Sequence, residues 1–366
     1  MFVFQKHIHM NLKEYFHNNI CNISDIADAI DHANKHEINF FAFRFPNEIV
    51  GYFGASLIVS YDINTTGFLI SPFQESDKKR KILIPNDYNN NLPPNIPIKQ
   101  PKDDSKSDIS TNKDYYLQTT QKLIDELKTK EIDNKVVISK IIVNESDIDI
   151  ATLFKTLCST YQKAFIFCYY TSETGLWIGA SPEQLICVDE KSISSMSLAG
   201  TRKANIEEEW SAKNIQEQKI VTDYISSIFR KHGYNPIISE RFTKNAGPVE
   251  HLCSIITSNT VKSSTSFFEM LEDLSPTPAL AGYPKNYAIE KISSIELHDR
   301  RCYGGYIGPI SSNENLSFFV NLRSINVMDS HYILFTGGGI TKNSIAQEEW
   351  EETEIKALTL LNLINK

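Results

Sequence analysis

Strand-like and helix-like stretches alternate along most of the chain, and this alternation limits the fold more than any other sequence feature. Residues 135–143 (KVVISKIIV) are typical of a buried strand. Shorter strand-like runs occupy 40–45, 67–70, 165–170, 177–178, 318–322 and 332–335. Apolar residues recur at helical spacing from Leu117 to Leu127, and helix-like stretches lie at 210–231, 288–295 and 348–364. Interleaved strands and helices predict an α/β or α+β fold with a large mixed sheet.

The segment 85–113 divides the chain. It is rich in Asn, Pro, Asp, Lys and Ser, a composition that cannot bury a core and predicts an exposed polar loop. We therefore distinguish residues 1–110, interpreted as a divergent N-terminal part of the same fold that ends in this loop, from residues 111–366, which carry nearly all functional signals. With 366 residues, 41% of them hydrophobic, the chain can bury a large core.

Charge and cysteine usage exclude several classes of protein. The chain has 37 basic and 45 acidic residues, a net charge of −8, and no basic block, so we expect binding to neither nucleic acid nor an anionic membrane. None of the six cysteines forms a CxxC pair, which argues against a zinc site and favours a reducing cytoplasm. His7, His9 and Lys13 interrupt the N-terminal segment, which predicts no signal peptide, and no run approaches the ~20 apolar residues of a membrane span.

Two glycine- and carboxylate-rich stretches stand out near the end of the chain. Three consecutive glycines, 337–339, follow a strand-like run and predict a turn, whose bare N–H groups could also face an anion. Glu349, Glu352 and Lys356 have the i, i+3, i+7 spacing of one helix face. On spacing alone they are more typical of a solvated acidic surface than of a metal site, and Glu217 in an earlier helix-like stretch would likewise be a surface carboxylate.

Further short segments are typical of connections next to apolar runs. Residues 180–183 (ASPE) and 198–202 (LAGTR) predict turns, and 276–284 (PTPALAGYP) predicts a rigid connection. Arg323 follows the alternating run 318–322, where an arginine either lies on the surface or binds a carboxylate through two parallel hydrogen bonds.

Taken in order, these segments resemble those of the chorismate-binding enzymes, a family that includes isochorismate synthase, salicylate synthase, anthranilate synthase component I and aminodeoxychorismate synthase. The matching segments are KVVIS (135–139), WIGASPE (177–183), LAGTR (198–202), PTPALAGYP (276–284), ELHDR (296–300), YGGYIG (303–308), LRS (322–324), TGGGI (336–340) and EEWEETEIK (348–356). The resemblance implies a large anthranilate-synthase-component-I-like fold, with two sheets and helices around a central active-site cleft.

Two positions separate the members of this family. In the water-adding members a Lys opens the KVVLSR-like strand and acts as the base, whereas anthranilate synthase-like enzymes usually have Gln there; this chain has Lys135. Aminodeoxychorismate synthase-like enzymes place a nucleophilic Lys where this chain has Ala199. The resemblance therefore implies isochorismate synthase, an isomerase that needs no glutaminase subunit. A lysine base requires burial or cationic neighbours that lower its pKa; without the resemblance, Lys135 would be interpreted as a lysine reaching to solvent from a strand end.

The resemblance also implies roles for individual side chains. Glu183 would be the general acid that protonates the departing ring hydroxyl, with a pKa raised by apolar neighbours. Without a catalytic role, Glu183 would be a residue in the first turn of a helix beginning at Pro182. Glu217 and Glu352 would bind Mg²⁺ with substrate oxygens, with Glu349 beside them. The substrate chorismate would be held by Gly200, Thr201, His251, Tyr303, Arg323, Gly338, Gly339 and Lys356, although His251 is as readily interpreted as a core residue.

Several positions depart from the family pattern. Asn214 stands where some relatives have an acidic residue, and Lys140 stands where an Arg usually ends the KVVLSR-like strand. Ser275 replaces a common His, and Met196 replaces a common Glu, which we expect to alter the polarity of the pocket.

Alternatives remain open at this level. A salicylate synthase would make the same intermediate and then eliminate pyruvate, and Lys135 and Glu183 fit both enzymes. An anthranilate synthase-like lyase is disfavoured by Lys135, and an inactive chorismate-binding protein by the retention of every proposed catalytic residue. The sequence leaves open whether the product would enter menaquinone or siderophore synthesis. We expect a cytoplasmic monomer.

Overall fold

A computed structural model describes residues 16–63, 65–74, 80–88, 108–130, 134–145, 147–189, 192–259, 265–311 and 315–364. Two expectations from the sequence concern other residues: His7, His9 and Lys13, and most of the predicted polar loop at 85–113, lie outside the described part.

The described residues form seven α-helices and eighteen strands. The helices are α1 (Ile23–Lys35), α2 (Lys113–Lys128), α3 (Ile150–Thr160), α4 (Ala212–Lys231), α5 (Thr265–Leu274), α6 (Lys285–Ile295) and α7 (Ala346–Ile364). The strands are β1 (Ile20–Cys21), β2 (Asn39–Arg44), β3 (Gly51–Ser56), β4 (Gly67–Ser71), β5 (Ile82–Pro85), β6 (Lys135–Glu145), β7 (Phe165–Thr171), β8 (Gly175–Ser181), β9 (Gln184–Val188), β10 (Ile193–Lys203), β11 (Ile237–Ile238), β12 (Phe242–Ala246), β13 (Val249–Ser258), β14 (Gly282–Tyr283), β15 (Tyr306–Ile310), β16 (Leu316–Val320), β17 (Ser324–Val327) and β18 (His331–Thr341).

The strands build two antiparallel sheets. The first has the order β1-β3-β2-β7-β8-β17-β18-β6-β14. The second has the order β11-β13-β10-β9-β16-β15-β4-β5, with β12 also paired to β13. Strands from the first 85 residues enter both sheets, since β1, β2 and β3 belong to the first and β4 and β5 to the second.

Strand residues alternate between a helix-covered face and a sheet-facing face. In β2, Phe40 and Ala42 pack with residues of α1, α3 and α7, whereas Phe41 and Phe43 pack between the two sheets. Because successive side chains of a strand point to opposite faces, both faces of such a strand are apolar when both are covered. The second sheet follows the same rule, with α4 and α5 on its outer face. The molecule is therefore layered as helices, sheet, sheet, helices.

The space between the sheets is filled largely by aromatic rings at one end. Phe165 of the first sheet stacks on Phe319 of the second, with ring centroids 4.0 Å apart and planes 2° apart. Trp177, Phe335 and Tyr303 continue the stack toward the middle of the interface. Each buried aromatic side chain of this kind stabilises the fold by roughly 2–3 kcal/mol. This packed end fixes the separation of the sheets, and the functional residues lie beyond it.

The α+β class with two sheets is confirmed, but three local predictions are wrong. The three glycines 337–339 continue β18 and pair with β6 instead of turning. Residues 198–202 lie in β10, where the pairing register to β13 shifts between Ala199 and Thr201, so the predicted turn is a bulge. Pro182 connects two strands, which excludes a helix start there. Within the described residues, no helix combines the length and apolar character that crossing a bilayer would require.

Candidate active site

One cavity between the sheets collects most of the predicted site residues. It encloses about 680 Å³ of space between atoms, including open solvent at its mouth. The predicted residues that line it are Lys135, Glu183, Gly200, Thr201, Glu217, His251, Tyr303, Arg323, Gly339, Glu352 and Lys356. Gly338 and Glu349 do not line it. Because Gly338 alternates with its neighbours in β18, its open side faces the carboxylate of Glu349 instead.

Lys135 enters the cavity from the first position of β6. Its side chain is buried, and no carboxylate of the described residues lies within ion-pair distance of it. The side chain runs along Gly339 of the neighbouring strand: a Cβ added to this glycine would lie 2.5 Å from Cε of Lys135 and 3.1 Å from its Nζ. Gly339 therefore makes room for the lysine, a role that the predicted turn did not suggest.

Glu183 lies in the connection between β8 and β9, with only 2% of its surface exposed. The backbone N–H of Val320 donates to its carbonyl oxygen and holds the connection in place. Its Oε1 has no hydrogen-bond partner among the described residues. Burial raises the pKa of the Glu183 carboxyl to about 8, while the positive charges of Lys135 and Lys244 oppose the rise. This carboxyl is therefore a proton donor near neutral pH.

Two further carboxylates line the cavity together with Lys135. Helix α4 begins after Ser211, whose side chain accepts from the N–H of Asn214, and this places Glu217 in the second turn. Glu217 is buried, its Oε1 has no described partner, and this oxygen would lie 3.2 Å from a Cβ on Gly339. Glu352 on α7 pairs with Lys356 at 2.6 Å. Although burial raises the pKa of Glu352, Lys356 together with Lys213 and Thr201 more than offsets this effect, so that the pKa is lowered.

Glu349 lies one helical turn before Glu352, next to Gly338 of β18 and outside the cavity. Lys213 of α4 donates to its carboxylate. Burial, together with the negative charges of Glu352 and Glu217, raises the pKa of Glu349 to about 7, against the effect of Lys213. Glu349 therefore lies outside the cavity and is paired with Lys213, a partner that was missed at the sequence level.

Glu217 and Glu352 fit a magnesium site of the kind that takes few protein ligands. No group of three or more His, Cys, Asp or Glu residues in the described ranges is arranged to hold a metal by itself. Mg²⁺ often binds one or two carboxylates and completes its shell with water and substrate oxygens. Oε1 of Glu217 is buried and lacks a hydrogen-bond partner within the described structure. The magnesium role of both residues remains a prediction.

Arg323 brings a positive charge to the lining of the cavity. Arg323 follows β16 with φ of +50°, and its Nη1 donates to the Lys356 carbonyl (3.2 Å) and to Thr359 Oγ1 (2.6 Å). Burial lowers the pKa of Arg323 to about 10, and no described carboxylate forms an ion pair with it. A buried guanidinium without a carboxylate partner is well suited to hold an anionic ligand.

His251 orients this arginine. Burial, with the charges of Arg323 and Lys356, lowers the pKa of His251 well below its usual value, so the ring is neutral. Its Nδ1 lies 3.1 Å from the Gly200 carbonyl, and its Nε2 lies 3.3 Å from Nη2 of Arg323. These partners assign the proton to Nδ1, so that Nε2 accepts from the guanidinium.

The bulge in β10 shapes the remaining wall. Gly200 has φ of +72°, and a side chain there would meet the backbone of Asn214, 2.8 Å away. Asn214 Nδ2 donates to the Thr201 carbonyl (3.2 Å), and the Thr201 N–H points at Asn214 Oδ1 (3.4 Å). Asn214, where some relatives have an acidic residue, thus holds the bulge. Met196 is buried with Leu198 and Cys253 and is not among the residues that line the cavity.

Comparisons with known proteins agree with this geometry. A family model described as "Chorismate binding enzyme" matches residues 65–365. Isochorismate synthase MenF of Bacillus subtilis is 31% identical over 271 residues, which cover 69% of this chain and 56% of that protein. Isochorismate synthase EntC of Escherichia coli is 28% identical over 247 residues, which cover 64% of this chain and 63% of that protein. The chain thus spans 56% to 63% of the length of these relatives.

Solved structures show the same fold. A putative 2,3-dihydroxybenzoate-specific isochorismate synthase, DhbC of Bacillus anthracis, matches with a TM-score of 0.75 at 21% identity, covering 93% of this chain and 99% of that one. Anthranilate synthase component I of Streptococcus pneumoniae matches with a TM-score of 0.61 at 17% identity, covering 88% and 92%. The predicted anthranilate-synthase-component-I-like fold is therefore confirmed.

Proposed function

The chain belongs to the family of chorismate-binding enzymes, and from this premise we propose that it is an isochorismate synthase, an isomerase that converts chorismate reversibly to isochorismate. The observation that carries the proposal is that Lys135, without a carboxylate partner among the described residues, and Glu183, protonated near neutral pH, face one buried cavity. One supplies a base for water and the other an acid for the departing hydroxyl.

The reaction exchanges one hydroxyl for another. In this proposal Lys135 takes a proton from water as the water oxygen bonds to the ring, and the ring double bonds shift. The C–O bond to the original hydroxyl breaks as Glu183 donates its proton, and that hydroxyl leaves as water. One water enters and one leaves, so substrate and product are isomers. No described residue hydrogen-bonds to Oε1 of Glu183, so this oxygen is available to the departing hydroxyl.

Glu217 and Glu352 are the residues that would hold Mg²⁺, which when bound would fix the ring carboxylate and balance its charge. Lys213 and Lys356 support this assignment because each neutralises part of the carboxylate cluster: Lys213 pairs with Glu349, and Lys356 with Glu352.

Arg323 and Tyr303 would hold the enolpyruvyl carboxylate. The guanidinium offers a charge that no described carboxylate neutralises, and the neutral imidazole of His251 keeps its orientation. Burial raises the pKa of Tyr303 to about 12, so its hydroxyl keeps a proton to donate. Gly200, Thr201, Gly339 and Lys356 complete the substrate site in this proposal, and Gly338 contributes only by its position beside Glu349.

Partner and compartment follow from the same residues. Lys135 and Ala199 favour water over ammonia, so we expect a monomer that works without a glutaminase subunit. All six cysteines are buried and form no disulfide with one another, which supports a reducing cytoplasm. MenF and EntC are both isochorismate synthases by name, and the residues of the cavity favour neither a menaquinone nor a siderophore pathway.

Product identification from chorismate tests the proposal. The purified protein with chorismate and Mg²⁺ should form isochorismate, and the same protein should return chorismate from isochorismate, without ammonia. Stoichiometric pyruvate with salicylate fluorescence would transfer the assignment to salicylate synthase. Ammonia-dependent anthranilate formation would assign a lyase. Binding of chorismate without turnover under any of these conditions would refute an enzymatic function.

A further inference from the structure

We propose that Lys244 is a positioning residue for Glu183: a cation held behind the apolar wall of the cavity that sets the pH range over which Glu183 carries its proton. The inference deepens the proposed function and rests on it, because Glu183 is the acid of that reaction. Nothing in the sequence pattern suggested a role for Lys244.

Strand register puts Lys244 on the cavity side of the second sheet. Lys244 of β12 is paired with His251 of β13, and His251 in turn is paired with Thr201 of β10. Directly paired residues of adjacent strands present their side chains on the same face. Since His251 and Thr201 both line the cavity, Lys244 points to the same side, one strand farther out.

The ammonium of Lys244 lacks an ordinary partner. Its Nζ lies 3.3 Å from the thioether sulfur of Met196, which is a weak acceptor. No carboxylate of the described residues lies within 4 Å of it. Met196, Leu198 and Cys253 form a small apolar cluster at this place. Lys244 is half-buried, and the loss of solvent around its ammonium lowers its pKa, while Cys253 and Glu183 oppose the decrease.

Glu183 is the carboxylate on which this charge acts. Lys244 and Glu183 shift each other's titration, and both act on Cys253. Leu198 and Glu183 line the cavity, whereas Lys244 does not. The two charges therefore interact without forming a direct ion pair.

The groups that face Glu183 leave few other sources of this effect. Cys253 of β13 and Tyr303 before β15 both have a pKa of about 12, so they remain uncharged near neutral pH. Lys135 of β6 is the other cation that acts on Glu183. Arg323 and Glu217 line the same cavity. Lys244 differs from Lys135 because it can be changed without removing a group that touches the substrate.

The sign of the effect follows from charge. A nearby cation favours ionised Glu183, so replacing Lys244 with a neutral side chain should raise the pH at which Glu183 loses its proton. Lys244→Met keeps the length and packing of the chain, and Lys244→Arg keeps the charge. Lys203→Met is the matched control, because Lys203 is an exposed lysine at the end of β10, on the other side of β13.

A difference titration reads Glu183 directly. Proton release from each protein is compared with that of the same protein carrying Glu183→Gln, so that the difference is the titration of Glu183 and needs no turnover. In Lys244→Met the midpoint should move up by about one pH unit, while Lys244→Arg and Lys203→Met stay close to the unsubstituted protein. The matching breakpoint in the pH profile of kcat/KM should move by the same amount.

The outcomes separate the two proposals. An unchanged midpoint in a folded Lys244→Met protein, or an equal shift in Lys203→Met, would overturn the role of Lys244. A shifted midpoint in a protein that forms no isochorismate would retain the electrostatic coupling and overturn the proposed function. If Lys244→Met does not fold, the Lys244→Gln variant provides the same comparison.

Discussion

Replacing Glu183 with Gln should remove activity and at the same time stabilise the protein. Burial raises the pKa of this carboxyl from 4.5 to about 8 in the folded state. Between these two values, the unfolded chain ionises Glu183 and the folded protein does not. The free energy of unfolding of the unsubstituted protein therefore falls by about 1.4 kcal/mol for each pH unit from pH 4.5 to pH 8. Glutamine has almost the same shape and does not ionise, so it escapes this loss.

The expected magnitude follows from the same two values. At pH 7 the Glu183→Gln protein should be more stable by about 3 kcal/mol, and below pH 4.5 the difference should vanish. Turnover of chorismate should fall by at least ~10², the low end for loss of a general acid. The pH profile of kcat/KM of the unsubstituted enzyme should have a breakpoint near pH 8, where the fraction of Glu183 able to donate begins to fall, and this breakpoint should be missing in the variant.

Urea unfolding at pH 4 and at pH 7, together with an isochorismate assay, makes the measurement. Glu290→Gln, which changes an exposed glutamate of α6, serves as the control and should alter neither quantity. Equal stability of Glu183→Gln and the unsubstituted protein at pH 7 would show that Glu183 is ionised in the fold. Such a carboxylate could not act as the acid, and the reasoning about its burial would be refuted.

Three further outcomes are expected. Lys135→Ala should lose at least ~10² of turnover while equilibrium dialysis still detects chorismate binding, and near-normal rates would exclude Lys135 as the base. Gly339→Ala places a methyl group 2.5 Å from Cε of Lys135 and should reduce turnover at least ~10-fold. Gly338→Ala should retain most of the turnover, because its Cβ would come no closer than 3.3 Å to any atom beyond its chain neighbours. Equal effects of the two substitutions would contradict the proposed packing. Glu217→Gln should raise the Mg²⁺ concentration required for half-maximal activity by at least ~10-fold, and an unchanged requirement would remove Glu217 from the metal site.

The sequence was sufficient for the class of fold and for the side chains that meet in the cavity. Lys135, Glu183 and Arg323 each belong to a short segment whose type and order resemble one family, and the structure brings all three to one place. Strand and helix positions were also predictable, because apolar periodicity reflects which faces are covered.

Features that depend on long-range pairing could not be predicted from the sequence. Lys213 pairs with Glu349, a partner 136 positions away, and no local pattern indicates such a pair. The glycines of 337–339 were interpreted as a turn because local preference favours one, but tertiary pairing with β6 extends the strand through them. Only that extension determines that Gly339 faces Lys135 while Gly338 faces Glu349.

The division of the first 85 residues between both sheets has a consequence for biosynthesis. Strand β4 hydrogen-bonds to β15, whose residues follow more than 200 positions later in the chain. At a ribosomal speed of about 5–20 residues per second, β4 waits roughly 10 s or longer for that neighbour. Meanwhile Phe43 cannot reach its final ring contact with Phe165, and Phe68 cannot reach its contact with Tyr169. The nascent polypeptide therefore exposes an apolar aromatic segment early, and we expect chaperones that shield emerging chains to bind it.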